Sequence, residues 1–148
     1  TLFLAPPQKF EAGSQPIAQI VGWATALEYL EELGMDRVAA HERKVTERIL
    51  EGIAEMDDIR VLGPTDMHMR GGIVAFEVPG VHPHDVGQYL DSRDVAVRVG
   101  HHCAIPLHRF FKVKSSSRAS VALTTTDAEI DQFLLGLKGV QEFFGGGR

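Results

Sequence analysis

Arg98-Val99-Gly100-His101-His102-Cys103-Ala104 is the densest run of reactive side chains in the sequence. A Val-rich stretch that reads as a strand leads into it, and Gly100 then lets the chain hinge. A reactive thiol needs partial exposure and surroundings that favour the thiolate, and Arg98 with two adjacent histidines could supply them. Three chemistries compete for these residues. Cys103 could be an inert buried thiol, because free Cys is among the most buried residue types. Two flanking histidines in a polar loop weigh against that. His101, His102, Cys103 and His108 could ligate a metal, but consecutive side chains point apart and rarely converge on one ion, so no metal is expected. A nucleophilic or sulfur-carrying cysteine uses the same residues without that conflict.

Whatever positions this loop must be small. The chain has 148 residues, enough for one domain or one domain with a fragment of another. Hydrophobic residues make up 44% and charged residues 24%, a globular balance that argues against disorder. Asp plus Glu is 20 against 15 Lys plus Arg, a net charge of −5 with no basic stripe for phosphate backbones, so nucleic acid is not expected as a partner. Cys103 is the single cysteine, which excludes an intramolecular disulfide and suits a reducing, cytoplasmic setting. No run approaches the ~18 apolar residues of a membrane span. Thr1-Leu2-Phe3-Leu4-Ala5-Pro6-Pro7 has no basic region or cleavage pattern of a signal peptide and no initiator Met. A fragment of a longer chain is the expectation, with a loose tail at Gly145-Gly146-Gly147-Arg148.

Periodicity supplies the elements. Residues 1–15 read as loop. Ser14 is expected to cap a helix with Pro16 in its first turn and Ile17, Ile20, Val21, Ala24 and Leu27 on one stripe, ended by Gly34. A second amphipathic helix is expected from about Asp36 to Met56, with Val38, Val45, Ile49, Ile53 and Met56 inward. Strands are expected at Ile59–Leu62, Gly72–Val78, Val95–Val99 and Arg118–Leu123, with a short helix from about Pro83 to Asp91 after the second. His101–Phe111 reads as a loop with a helical turn. Thr126-Asp127-Ala128-Glu129 is a capping box opening a last helix, striped by Ile130, Phe133, Leu134, Leu137 and Val140. The fold class is α+β: a mixed or antiparallel sheet of about four strands covered by helices on one side.

The cysteine run, with Pro106-Leu107 and Arg118-Ala119-Ser120 after it and Phe10-Glu11-Ala12-Gly13-Ser14 far upstream, resembles the signature of Suf-type (group II) cysteine desulfurases. These are class V aminotransferases of fold type I that depend on pyridoxal 5'-phosphate (PLP). The resemblance covers nearly the whole chain, and its separated motifs keep their order. It implies that residues 1–30 are the tail of a large PLP-binding domain with a linking helix, and that residues 31–148 are the small C-terminal domain. It implies conversion of L-cysteine to L-alanine, with PLP as the electron sink and the Cys103 thiolate taking the sulfur as a persulfide for iron–sulfur cluster assembly.

Site roles carry over one residue at a time. Arg118 matches the arginine that grips the substrate carboxylate, for which a guanidinium fork is suited. Arg98 matches a second arginine near the substrate, although an Arg alternating with Val in a strand is also an ordinary solvated position. Ser14, with Gly13, matches the hydroxyl step that reaches the PLP phosphate of the other subunit in a homodimer, where exposed N–H groups also suit an anion. His102 is expected to tune the thiol and His101 to shape the loop. His84 matches a histidine that reaches the zinc of a sulfur-acceptor protein of the SufE/SufU type. Asp85 beside it has an ordinary explanation in helix-dipole compensation.

One departure is large. The PLP lysine of these enzymes follows a histidine, whereas Lys9, Lys44, Lys112, Lys114 and Lys138 follow Gln, Arg, Phe, Val and Leu. Two smaller departures are Lys9 in place of Arg before the Phe-Glu-Ala-Gly segment, and Ser14-Gln15-Pro16 in place of Thr-Pro-Asn. The chain alone is therefore expected to be inactive. The rival readings are a stand-alone, non-enzymatic persulfide-carrier or interaction domain, and a class V enzyme akin to selenocysteine lyase.

Overall fold

The computed structural model describes residues 2–145. The tail expected at 145–148 lies, beyond Gly145, outside the described residues. Two compact units divide between Arg37 and Val38.

In the first unit a 3₁₀ turn at Gln8–Phe10 precedes helix α1, Ile17–Leu33. Gly34 ends α1 in the left-handed region (φ +86) with its N–H bonded to Leu30 and Glu31 carbonyls, as its position at the end of the stripe predicts. The start differs from expectation. The N-cap is Pro16 and no side chain caps the helix, so Ser14 lies in the loop before it. The apolar stripe is not buried within this chain: Ile17, Ile20, Val21, Trp23 and Leu27 are all exposed.

The second unit is built on a sheet with order β1-β2-β4-β3, every pair antiparallel: β1 Arg60–Leu62, β2 Ile73–Glu77, β3 Arg98–Gly100 and β4 Ser116–Ser120. Helices α2 (Met35–Ala54), α3 (Pro83–Asp91) and α5 (Asp127–Gly145) cover one face, and α4 (Ile105–Phe111) precedes β4. Strand alternation sorts the two faces. Val74, Phe76 and Ala119 enter a core with Val45, Ile49 and Ile53 of α2, Val86 and Leu90 of α3, and Ile130, Phe133, Leu137 and Val140 of α5. Phe76 meets Phe133 edge-on at 5.9 Å between ring centroids. Leu62, Ala75, Arg118 and Arg98 form one paired row on the other face.

The stripe expected on α5 is buried with Leu134 at its margin, whereas of the stripe expected on α2 only Val45, Ile49 and Ile53 are buried: Val38 is half-buried outside the core, and Met56 packs at the margin just past the end of the helix. Strands β1 and β2 and helix α2 differ from the sequence reading by one or two residues at their ends, and three larger differences lie around the cysteine loop. The loop after Cys103 contains a full helix, α4, whose Pro106 falls in its first turn where no N–H is needed. Strand β3 starts at Arg98 and includes Gly100, so Val95-Ala96-Val97 lies before it. Strand β4 starts two residues earlier than expected, because Ser116 and Ser117 are fully buried partners in the ladder, and it ends three residues earlier, at Ser120. Helix α3 lies so close on β3 that a side chain at Gly87 would come within 2.8 Å of Val99 Cγ1. That contact fixes the strand carrying Arg98.

The capping box forms as read. Thr126 donates its N–H to Glu129 Oε2 at 2.7 Å, and the Glu129 N–H donates to Thr126 Oγ1 at 3.3 Å. Thr126→Ala should therefore lower stability by about 1 kcal/mol in chemical denaturation, with an unchanged slope against denaturant. An unchanged midpoint would show that the box contributes nothing.

Candidate functional site

The site builds outward from a strained turn. His102 (φ +52) and Cys103 (φ +59) are consecutive non-glycine residues in the left-handed region, which costs roughly 1–2 kcal/mol for each. Gly100, at φ +115, starts the reversal and leaves open space where a side chain would stand. The Ala104 N–H closes the turn on the His101 carbonyl at 2.8 Å. Cys103 is thereby left exposed at the end of β3, with its thiol free.

Arg98 reaches over this turn. Its Nη2 donates to Cys103 Sγ at 3.6 Å, a distance appropriate to sulfur. Arg118 lies directly opposite Arg98 in the β3–β4 register, so the two side chains leave the sheet on the same face. Like charges directly opposite each other are destabilising. Neither arginine has a carboxylate partner among the described residues. The Nε of Arg118 is buried and has no hydrogen-bond partner among them. Two cations and one unpaired buried donor beside a thiol make a receptor for an anion, and a carboxylate suits the fork of Arg118.

His102 turns away from the solvent. Its Nε2 meets Ser116 Oγ at 3.0 Å, and its buried Nδ1 has no partner among the described residues. Burial holds this imidazole below its ordinary range. Arg118, His108 and Arg98 add to the shift, and the Ser116 backbone opposes it. The folded protein therefore binds this proton more weakly than the unfolded chain. The neutral ring contributes stability that is present above the ordinary value of 6.5 and is lost as pH falls through it. Tm should be lower at about pH 5.5 than at about pH 7.5, and His102→Gln should shrink the difference. An undiminished difference in that variant would clear His102 as its source.

A cavity of about 380 Å³ lies beside these groups, with Ile73, Ala75, Leu107 and Phe111 as apolar walls and His102 and Arg118 as polar ones. Small Ala75, opposite Arg118 in the ladder, helps to keep it open.

Cys103, His102, Arg98 and Arg118 are thus brought together. His84 is not part of their hydrogen-bonded cluster: it sits in the first turn of α3, donates its N–H to His82 Nδ1 and stacks on the His82 ring. Gly13, at φ +78, and Ser14 belong to the first unit, exposed and in open loop. Sequence reading missed Ser116, and it raised His108 only as a metal ligand. The available signal was the run of three consecutive serines, Ser115-Ser116-Ser117, before Arg118, which reads as polar loop until its burial is known. Among the described residues no group of three or more His, Cys, Asp or Glu side chains is placed to hold a metal ion. No described helix is long and apolar enough to cross a membrane.

The same fold recurs in solved structures. A cysteine desulfurase from Thermococcus onnurineus in its apo form superposes with a TM-score of 0.87 at 35% identity, covering 97% of this chain and 35% of that one. The Escherichia coli cysteine desulfurase CsdA, in an S-sulfonic acid form, gives 0.84 at 26% identity, covering 93% and 34%. A probable cysteine desulfurase of Mycobacterium leprae is 47% identical over 145 residues, 98% of this chain and 35% of that protein. One from Streptomyces coelicolor is 47% identical over 139 residues, 94% and 33%. The aminotransferase class-V family model matches residues 1–133, and the chain belongs to that family. It spans about a third of the length of these relatives.

Class-V aminotransferases are PLP-dependent, and each unit, taken by itself, carries groups that fit that chemistry. Arg118 Nε is an unpaired buried donor suited to a carboxylate. The Gly13–Ser14 step has open backbone and an uncommitted hydroxyl suited to a phosphate. No lysine joins the hydrogen-bonded cluster at Cys103 among the described residues.

Proposed function

We propose that this chain is the sulfur-accepting part of a PLP-dependent cysteine desulfurase acting on L-cysteine. The carrying observation is the unpaired Arg98–Arg118 couple facing the exposed thiol of Cys103. A structural thiol needs neither exposure nor a cation beside it, and an unliganded arginine pair lowers stability unless an anion joins it.

In this reading Arg118 binds the substrate carboxylate through its fork, and Arg98 holds positive charge beside the attacking sulfur. When bound, PLP supplies an electron sink that weakens the substrate's bonds. Gly13 and Ser14 would hold the phosphate of a PLP bound in the other subunit of a homodimer. Cys103 attacks as the thiolate. A sulfur–sulfur bond forms while the substrate's carbon–sulfur bond breaks; the electron pair stays with carbon, which takes a proton and leaves as alanine. The buried face of His102 makes it a shaping group for the thiol's turn.

Residues 1–30 are the end of a large PLP-binding domain with its linking helix, and residues 31–148 are the small domain. The Arg98–Ala104 motif favours the Suf-type group, which implies a homodimer and a SufE/SufU-type acceptor feeding iron–sulfur cluster assembly, and the single cysteine suits a cytoplasmic setting. His84 is exposed at the start of α3, where its imidazole could reach an acceptor's zinc.

The test is product analysis with the full-length protein. Incubation with L-cysteine and a thiol reductant should release alanine and sulfide in equal amounts. Sulfide accompanied by pyruvate and ammonia in place of alanine would show elimination and exclude the desulfurase reaction, and a strong preference for selenocysteine would move the assignment to the lyase reading. No turnover of either substrate by PLP-loaded protein would leave the carrier-domain reading.

A further inference from the structure

His108 lies on α4 just beyond the reacting groups, and only 6% of its surface is exposed. Its Nδ1 meets the Ala104 carbonyl at 3.0 Å, and its Nε2 meets Ser116 Oγ at 3.0 Å. The Ser116 hydroxyl, fully buried, also meets His102 Nε2 at 3.0 Å. One hydroxyl thus joins two imidazoles, and counting protons assigns every atom.

A carbonyl only accepts, so His108 Nδ1 must carry a proton. A neutral His108 then has a bare Nε2, which accepts the Ser116 hydroxyl proton. With that proton committed, Ser116 Oγ can only accept from His102, so His102 carries its proton on Nε2 and its Nδ1 is a bare, buried lone pair. The opposite arrangement requires an imidazolium at His108. That would bury a charge in a site already holding Arg118 and Arg98, with His101 and His102 ring-to-ring against it. It would also leave a buried N–H on His102 with no acceptor.

The two ends of this chain of bonds grip the strained turn on both sides. His108 holds the carbonyl of Ala104, just after Cys103, and Ser116 holds the ring of His102, just before it. We propose that His108 is a positioning residue which, through Ser116, fixes His102 as its Nε2–H tautomer and so clamps the left-handed turn that presents Cys103 beside Arg98. The functional meaning of the clamp rests on Cys103 being the sulfur acceptor; the clamp itself does not.

Two measurements on the full-length protein test it without turnover. Magic-angle-spinning ¹⁵N spectra of histidine-labelled protein should show His102, assigned by difference against His102→Gln, with a protonated Nε2 and an unprotonated Nδ1. A protonated Nδ1 in the unsubstituted protein overturns the proposal outright. Alkylation of Cys103 by iodoacetamide, followed by mass spectrometry of its peptide, reads the turn. His108→Asn keeps a donor near the Ala104 carbonyl but loses the acceptor for Ser116. In that variant His102 should show exchange-averaged ring signals, and alkylation should slow about fivefold, the scale on which one neutral hydrogen bond shifts an equilibrium. His108→Gln, which places an amide oxygen where Nε2 stood, should restore both. An Nε2–H signature that persists in His108→Asn, or no rescue by His108→Gln, overturns the clamp. Loss of desulfurase activity in the unsubstituted protein would instead remove the function proposed above and leave these readouts standing.

Discussion

Replacing Cys103 with alanine in the full-length protein is expected to abolish sulfide release from L-cysteine while leaving the fold and bound PLP intact. Cys103 is exposed, so the substitution deletes no core contact and opens no cavity. It even relieves a side chain held in the left-handed region, since alanine meets that strain with less bulk than any other chiral residue. What it removes is the one atom in this chain able to form a bond to sulfur and give it up again, because no other cysteine exists in the sequence. The loss should appear in kcat with the thermal midpoint unchanged. In the unsubstituted protein, brief exposure to L-cysteine should add the mass of one sulfur atom to the peptide holding Cys103, and the variant should carry none. Full sulfide release by Cys103→Ala would end its assignment as the acceptor.

Arg118→Ala should raise KM for L-cysteine by roughly 30- to 900-fold, the equivalent of ~2–4 kcal/mol for a charge-assisted pair lost from a partly buried site. The guanidinium has no other employment: it makes no ion pair or hydrogen bond among the described residues, and its Nε is buried without a partner. Removing it also relieves the like-charge contact with Arg98 across the β3–β4 ladder, so Tm of the unliganded protein should hold or rise slightly. A structural arginine would behave in the opposite way, lowering Tm and sparing KM. Arg118→Lys should recover only part of the binding, since an ammonium keeps the charge and loses the fork. An unchanged KM in Arg118→Ala would take this residue out of the substrate site.

These outcomes lean on features of two kinds. Where one periodic pattern decided burial, the sequence was legible. Val45, Ile49 and Ile53 on α2, and Ile130, Phe133, Leu137 and Val140 on α5, are inward because helical spacing puts them on one stripe. Thr126 and Glu129 form their box because both partners lie within one turn. Gly34 ends α1 because only glycine takes its φ cheaply. Boundaries were less legible where burial is polar. Ser116 and Ser117 enter the ladder through hydrogen bonds and close packing, which no hydropathy pattern records.

The chemistry of the site divides along the same line. By itself the sequence determined the reactive inventory: one thiol, two arginines and the histidines around it, in an order specific enough to point to a family, because bonded neighbours and local turns are dictated by residue type. Only the tertiary structure decided how they act together. The antiparallel register set Arg98 opposite Arg118, twenty residues apart in sequence, and made their repulsion an argument for an anion. Hydrogen bonds join Ser116 of β4 to both His108 of α4 and His102, the junction from which the tautomer of His102 is inferred. Such arrangements depend on distances between residues far apart in the chain. Those distances arise only when the core closes, since nothing local to either partner encodes them.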